Sequence, residues 1–276
     1  MKDTPIIDQS EMDNGSNGEV STSASSEVAE RTLDVLLCFL DAEGELGVTE
    51  ISQRLGIHRG RIHRFLTASK KKGFVSQNPR TRRYSLGFRV MELSYALTRQ
   101  FDVVSQVQPH LLELRNTTQE SAGLAVRVAD HRIHLTQVES EREIRQTFPI
   151  GKPLPLRAGA AGKLLVAFQP AEEVDRLLST PLERLTDCTI TGLDELRVEM
   201  ERVRRQGYAM SLGERMAGSR SIAAPVWSSR GDVMALTVSG PAFRFTAEKA
   251  VEALEYLRVV AARLTRQMGG EPFATL

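Results

Sequence analysis

Residues 51–91 hold eleven Lys and Arg residues and not a single Asp or Glu. Residues 1–50 show the opposite bias, with twelve acidic residues against two basic ones, and the chain as a whole has a formal net charge of +1. The positive charge is therefore concentrated in one compact segment of a nearly neutral molecule. Such segregation favours a localised site for a polyanion over general electrostatic adhesion.

The same segment carries a helical pattern of apolar residues. In "GIHRGRIHRFLTASKKKGF", residues 56–74, a period of about 100° per residue places four side chains on one third of the helix circumference: Ile62, Phe65, Leu66 and Ser69. The opposite side holds Gly60, His63, Arg64, Thr67 and Lys71, with Arg59 and Arg61 at its flanks. The sequence predicts a helix with one core face and one outward cationic face.

The neighbouring segments predict a winged helix-turn-helix. Thr49 is a suitable N-cap for a short helix over "EISQRL", which Gly56 ends, and the cationic helix follows from His58 or Arg59 to Lys72. A longer helix is expected upstream, from Val28 to "DAEGELG". The strands "GFVSQ" and "RRYSLG", on either side of "NPRT", form the predicted wing.

These elements predict contacts to double-stranded DNA, because the major groove admits one helix whose first turns reach base edges. Arg61 is the first choice for a bidentate guanine contact. A solvated basic helix without a partner is the structural alternative, and an RNA target is disfavoured because no exposed aromatic residues alternate with the cations. The predicted DNA-binding residues are Thr49, His58, Arg59, Arg61, His63, Arg64, Lys71, Arg80, Arg82 and Arg83.

The remaining sequence predicts a second domain and two connecting regions. With 276 residues, 41% of them apolar, the chain can fold as two domains. Residues 1–26 are predicted to be a disordered tail, 27–86 the winged helix-turn-helix and 87–101 a linker helix. Residues 102–276 predict an α+β domain, with helices on the faces of an antiparallel sheet of six strands. One of these strands is predicted at "EIRQTFPI", and a turn at "DH" joins the first strand pair.

Several functional classes find no support in the sequence. No apolar run of about 18 residues and no signal peptide is found, so a cytoplasmic location is expected. Cys38 and Cys188 are read as inert thiols, and His131 and His134 as exposed strand residues without a metal. No nucleophile elbow or phosphate loop occurs. The sequence therefore predicts neither an enzyme, a cofactor nor a metal site.

Two groups of motifs give the chain a family resemblance. The segment "LGVTEISQRLGIHRGRIHRFLTASKKKGFVSQNPRTRRYSLGFRVMELS" resembles the winged helix of the IclR family of bacterial transcriptional regulators. The segments "LPLRAGAAGKLLVAFQP", "GYAMSLGERMAGSRSIAAPVW" and "GDVMALTVSGPAFR" resemble its effector domain. The resemblance extends over about Val28 to Gly269. It implies a GAF-like second domain that binds a small metabolite, homodimers and dimers of dimers, and a palindromic operator.

The resemblance also implies an effector pocket. By motif position the expected residues are Ala160, Ala161, Ser211, Ser219, Ser221, Thr237, Ser239 and Arg157. Small residues and free amides at a helix N-terminus suit an anion, so a small carboxylate is the expected effector. Arg145, Arg157 and Arg220 are candidate partners for that carboxylate. Family members commonly carry His in place of Arg157 and Ser-Thr in place of Gly60 and Arg61. These differences predict an effector and an operator other than those of the best-known family members.

Overall fold

The computed structural model describes residues 17–100, 103–179 and 183–273. The chain divides into two compact units, one up to Leu97 and one from Thr98 onward. The division falls within the helix that the sequence predicts for residues 87–101, which spans Arg89–Gln100.

The first unit has a helix-turn-helix followed by a two-stranded hairpin, which confirms the predicted order. Its elements are α1 (Asn17–Leu37), α2 (Val48–Leu55), α3 (Arg59–Lys71), β1 (Val75–Gln77), β2 (Tyr84–Leu86) and the start of α4 (Arg89–Gln100). Gly56 ends α2 in the left-handed conformation at φ 65°, and this permits the tight turn into α3. Ile62 and Leu66 of α3 are fully buried against Ile51, as the helical spacing predicts.

Two expectations for this unit are wrong. Residues 17–26 of the predicted tail form the first turns of α1, because adding residues to an established helix costs little once its packed end has nucleated it; residues 1–16 lie outside the described residues. Thr49 is not the N-cap of α2. That position belongs to Gly47, whose N–H donates to the Glu50 carboxylate at 2.6 Å, so Thr49 lies exposed in the first turn.

The second unit contains an antiparallel sheet with strand order β5-β4-β3-β8-β7-β6. The strands are β3 (Ser121–Val128), β4 (His131–Val138), β5 (Leu154–Pro155), β6 (Ala209–Leu212), β7 (Ser219–Trp227) and β8 (Val233–Pro241). The helices are α5 (Val103–Thr118), α6 (Ala160–Ala167), α7 (Ala171–Ser179), α8 (Leu193–Gln206) and α9 (Ala247–Gln267). This confirms the expected class, in which helices cover an antiparallel sheet.

Alternation along the central strands builds a core on each face of the sheet. On β7, Ile222 and Ala224 belong to the core under α5 and α9, whereas Ala223 belongs to the core under α6 and α8. On β8, Leu236 and Ala235 divide in the same way. The sheet is therefore covered on both sides.

The segment "EIRQTFPI" is not a strand, although the sequence predicts one. Side chains satisfy its backbone in place of a ladder: the Ser121 hydroxyl donates to the Gln146 carbonyl at 2.5 Å, and the Phe148 N–H donates to the Gln137 side chain at 2.7 Å. Only an isolated bridge joins Ile150 to His134. The turn between β3 and β4 also differs, since it lies at residues 129–130 and not at "DH".

In the described part of the chain, no helix is both long and apolar enough to cross a membrane. Those residues also contain no cluster of three or more His, Cys, Asp or Glu side chains suited to a metal ion.

Candidate functional site

The outward face of α3 is cationic. The side chains of Arg59, Arg61, His63, Arg64 and Lys71 are all exposed, opposite the buried Ile62 and Leu66. His58 caps the helix, because its Nδ1 accepts the Gly60 N–H at 3.2 Å. The helix thus presents its first two turns to solvent with four basic groups on them, as the sequence predicts.

The wing is fixed to the turn before α2 by a network around two carboxylates. Glu45 accepts from Asn78 and Thr81, both at 2.7 Å, and these hydrogen bonds hold the pKa of Glu45 below its usual range. The Arg83 guanidinium donates to the Glu45 carbonyl at 2.7 Å and to the Glu50 carboxylate at 2.7 Å. Arg83 therefore positions the wing, a role that the sequence analysis did not assign to it.

The other two wing arginines have a different environment. Arg80 and Arg82 are exposed at the tip, and Arg82 adopts a left-handed conformation at φ 59°. The backbone carbonyl of Arg82 accepts from Gln77, whose side-chain oxygen accepts from Lys70 of α3. The tip of the wing is consequently linked to the C-terminal turn of the cationic helix.

The second unit contains a small, partly open cavity of about 30 Å³ on the α6 face of the sheet. Strand register lays hydroxyls across its floor, since Ser211 pairs with Ser221 and Ser221 pairs with Ser239. Thr237 and Ser219 complete this polar surface. All five were expected in the pocket by motif position, and the fold brings them together.

The N-terminus of α6 forms one wall of the cavity. Gly159 is its N-cap at φ 83°, and Ala160 and Ala161 line the cavity as the first residues of the helix. The Ala160 N–H donates to the Ser221 hydroxyl at 3.4 Å, and the Gly159 N–H donates to Glu214 at 3.0 Å. The first amides of a helix lack intrahelical partners and carry its positive dipole end, so this wall favours an anion.

Arg132 of β4 is the most unusual side chain of the cavity. It is 3% exposed, and its Nη2 donates to the Ala158 carbonyl at 3.4 Å. Its Nε and Nη1 are buried with no hydrogen-bond partner among the described residues. Burial, and secondarily the charge of Arg215, lower the pKa of Arg132 to about 9. The side chain remains a cation at neutral pH, and two of its donors are left unused.

His134, two residues further along β4, also faces this cavity. Its ring stacks on Phe148 with centroids 4.2 Å apart, and its Nδ1 is buried without a partner in the described structure. Burial, then the charges of Arg132 and Arg215, lower the pKa of His134 to about 3. The imidazole is therefore neutral at physiological pH. Its Nδ1 can donate or accept one hydrogen bond with a ligand, depending on the tautomer.

Arg215 supplies a second cation to the cavity lining. It is half-buried, and burial lowers the pKa of its guanidinium. The adjacent Glu214 does not neutralise it, because that carboxylate contacts Lys163 at 2.5 Å and the Gly159 amide. Across residues 17–100, 103–179 and 183–273, no carboxylate lies within ion-pair distance of Arg132 or Arg215.

The arginines that the sequence analysis offered as carboxylate partners are located elsewhere. Arg157 does not line the cavity, because it alternates with the buried Leu156 and Ala158 on the segment after β5. Arg145 pairs with Glu139 at 2.7 Å, and Arg220 is also absent from the cavity lining. The cations of the site are instead Arg132 and Arg215.

Sequence reasoning missed Arg132 and misplaced His134, which is 2% exposed and not an exposed strand residue. The sequence of β4 contains a signal of this site, because polar and apolar residues alternate along the strand. Arg132, His134 and Thr136 are buried, whereas the intervening Ile133 and Leu135 are only half-buried. A strand that buries its polar residues contradicts ordinary partitioning and indicates a polar site.

Comparisons with known proteins agree with these two units. The IclR helix-turn-helix domain model matches residues 28–79, and the model of the bacterial transcriptional regulator IclR C-terminal domain matches residues 95–266. The chain is 32% identical over 236 residues to the HTH-type transcriptional regulator KdgR of Escherichia coli K12, covering 85% of this chain and 90% of that protein. It is 30% identical over 258 residues to the HTH-type transcriptional repressor AllR of Klebsiella pneumoniae, covering 93% and 95%.

A solved structure gives the same result for the fold. The crystal structure of a putative IclR-type transcriptional regulator from Silicibacter sp. TM1040 aligns with a TM-score of 0.84 and 25% identity, covering 90% of this chain and 99% of that one.

Together, the winged helix and the helix-covered sheet define a bacterial transcriptional regulator and not an enzyme. The chain belongs to the IclR family, as the sequence motifs indicate.

Proposed function

We propose that this protein is a ligand-responsive regulator that binds a palindromic operator through α3 and the wing and senses a small carboxylate in the α6 cavity. The observation that carries the proposal is the buried, uncompensated Arg132 at a helix N-terminus. Burying a charge without a partner is costly, so its retention at this position calls for an anionic ligand.

The DNA-binding half of the proposal rests on the surface of the first unit. Arg59, Arg61, His63 and Arg64 are exposed on the first turns of α3, the part of a recognition helix that reaches base edges. Lys71, Arg80 and Arg82 are exposed where the helix ends and at the wing tip, which suits phosphates. Thr49 and His58, at the starts of α2 and α3, are also assigned to the DNA-facing surface.

A homodimer is part of the proposal, because two helices of the first unit expose large apolar side chains. On α4, Met91 is 69% and Tyr95 65% exposed, and the preceding Phe88 is 84% exposed. On α1, Leu33 is 60% and Leu37 57% exposed. Apolar surface of this extent favours a protein partner, and a second copy provides the two-fold symmetry that a palindromic site requires.

Further assignments complete the proposal. We expect a repressor of a catabolic operon that acts in the cytoplasm, associates with the nucleoid when bound, and assembles as a dimer of dimers. The second unit is assigned a GAF-like fold, and no cofactor or metal is assigned.

DNA footprinting of the intergenic region upstream of the gene tests the DNA-binding half. Wild-type protein should protect a palindromic site, and Arg61→Ala should relax base preference at one position of each half-site, by about 1–3 kcal/mol of lost discrimination. Equal loss of affinity for specific and random DNA would contradict a base contact by Arg61.

The alternative is a constitutive architectural DNA-binding protein whose second unit only oligomerises. A panel of small acids distinguishes the two functions by thermal unfolding, because a ligand that binds the folded state raises the melting temperature. The sensor proposal requires at least one acid that raises this temperature and also changes operator affinity. No response to any of them would favour the architectural alternative.

A further inference from the structure

We infer that the effector is a short-chain dicarboxylate whose two carboxylates bind Arg132 and Arg215. This inference rests on the proposed sensing function and names the charge of its ligand. It differs from the expectation of a single carboxylate, which the motif residues suggested before either arginine was placed in the cavity.

The charge balance of the cavity lining favours a dianion. Two guanidinium groups face the same space, and neither has a carboxylate within ion-pair distance in the described parts of the chain. The N-terminus of α6 adds a further partial positive charge. His134 is neutral at physiological pH and does not change this balance. A monoanion would neutralise only one of the two arginines, whereas a dianion neutralises both.

The two arginines also approach the same turn of the chain. Arg132 Nη2 and Arg215 Cβ lie 3.5 Å and 3.9 Å from the position that a Cβ atom would occupy at Gly159, immediately before Ala160. The charge of Arg215 contributes to the lowered pKa of Arg132, so the two cations repel each other in this partly desolvated site. An anion that binds both relieves that repulsion.

The two arginines are not equivalent, and this gives the ligand an orientation. Arg132 is 3% exposed and keeps Nε and Nη1 unused, so it receives the inner carboxylate beside the positive end of the α6 dipole. Arg215 is half-buried and lies nearer to solvent, so it receives the outer carboxylate. Ser221 and Ser239 on the floor provide hydroxyls for the remaining oxygens.

The size of the cavity limits the chain between the two carboxylates. Its volume is only about 30 Å³, which favours a short chain between the two carboxylates. A diacid with zero or one carbon between its carboxylates suits such a space, with its outer carboxylate beside Arg215, the more exposed of the two cations.

Calorimetric titration of the full-length protein with matched acids tests the inference. Oxalate is a dianion, and oxamate is the monoanion of nearly the same shape in which an amide replaces one carboxylate. Malonate and malonamate form a second pair of this kind. Wild-type protein should bind the dianion of each pair at least tenfold more tightly. Arg215→Gln should reduce this preference to about threefold or less while leaving monoanion affinity unchanged.

Two controls test whether the dianion preference is specific to Arg215 and to two separate carboxylates. Arg157→Gln, a half-buried arginine outside the cavity lining, should retain the full dianion preference. Sulfate carries the same charge on one tetrahedral centre, so it should bind more weakly than oxalate if two separate carboxylates are recognised.

The results separate failure of this inference from failure of the sensing function. Three results would overturn the dicarboxylate assignment and leave carboxylate sensing intact. They are equal affinities for the two acids of a pair, an equal loss of affinity for both acids in Arg215→Gln, and sulfate binding as tight as oxalate binding. Absence of binding by every acid, in protein that still protects operator DNA, would overturn both.

Discussion

At the scale of single residues, the second unit buries two cations in opposite ways. Lys163 is 1% exposed and contacts Glu199 at 2.8 Å, Glu214 at 2.5 Å and the Met210 carbonyl at 2.7 Å. Arg132 is equally buried and has no acid beside it. Full compensation is typical of a structural group, whereas an uncompensated buried cation is typical of an anion-binding site.

This contrast predicts opposite effects of two similar substitutions on the free energy of unfolding. Lys163→Met leaves the buried Glu214 carboxylate without its cation and removes one of the two cations beside Glu199, which keeps Arg202, so it should destabilise the protein by about 3–5 kcal/mol. Arg132→Met removes an unpaired buried charge and should stabilise the ligand-free protein by about 1 kcal/mol, with loss of the response to acids. Urea unfolding followed by circular dichroism measures both. Destabilisation of similar size by both substitutions would contradict the contrast.

His134 predicts a dependence of stability on pH. Its pKa is about 3 in the folded protein and about 6.5 in an unfolded chain, so below pH 6.5 the unfolded state binds a proton that the folded state does not. The free energy of unfolding should therefore be fully retained above pH 6.5 and fall as the pH decreases towards 3, by up to about 1.4 kcal/mol per pH unit.

The variant His134→Phe isolates this contribution, because it keeps an aromatic ring against Phe148 and cannot titrate. Thermal unfolding between pH 7 and pH 4.5 should show a shallower loss of stability for the variant than for the wild type. Parallel curves would mean that His134 is protonated at the same pH in both states.

At the scale of elements, the two adjacent arginines of the wing have different environments. Arg83, just before β2, joins the wing to the turn before α2 through the Glu45 carbonyl and the Glu50 carboxylate, whereas Arg82 is exposed at the tip. Arg83 thus has a structural role, and Arg82 is the proposed DNA contact.

This division predicts different salt dependences of DNA binding. Arg82→Ala should weaken binding to all sequences and lower the slope of log affinity against log salt by about 1, because a phosphate contact is lost. Arg83→Ala should also weaken binding, by loosening the wing, but with a nearly unchanged slope. Fluorescence anisotropy between 50 and 200 mM salt, about the range where such slopes are resolved, measures both. A reversed pattern would assign the phosphate contact to Arg83.

At the scale of the whole molecule, regulation requires that effector and DNA binding each favour a different arrangement of the protein. A ligand can shift that equilibrium only by its differential affinity for the two arrangements. In the proposed homodimer both recognition helices have to reach successive major grooves together, so a shift between the two arrangements would change the affinity for DNA.

The proposed homodimer can be tested with a variant of the exposed apolar residues Phe88 and Met91, at the start of α4. Replacing Phe88 and Met91 together by Ser should yield monomers in analytical ultracentrifugation, because it removes two strongly exposed apolar side chains from the proposed interface. Affinity for a full palindrome should fall by about a hundredfold, while half-site affinity is retained. Val198→Ser, an exposed apolar position on α8, serves as the control and should leave both unchanged. An undiminished dimer in the double variant would place the interface elsewhere.

The sequence by itself determined most of the local elements and the cationic face of α3, because helix periodicity and charge segregation act over a few residues. It also located the cavity hydroxyls and the start of α6, since those residues lie in contiguous motifs. Only the tertiary structure placed Arg132 and Arg215 together and excluded Arg157. Their meeting depends on how the β6–β7 loop, which holds Arg215, folds against β4, which holds Arg132. A shift of one residue in the register of β4 would have turned Arg132 to the opposite face.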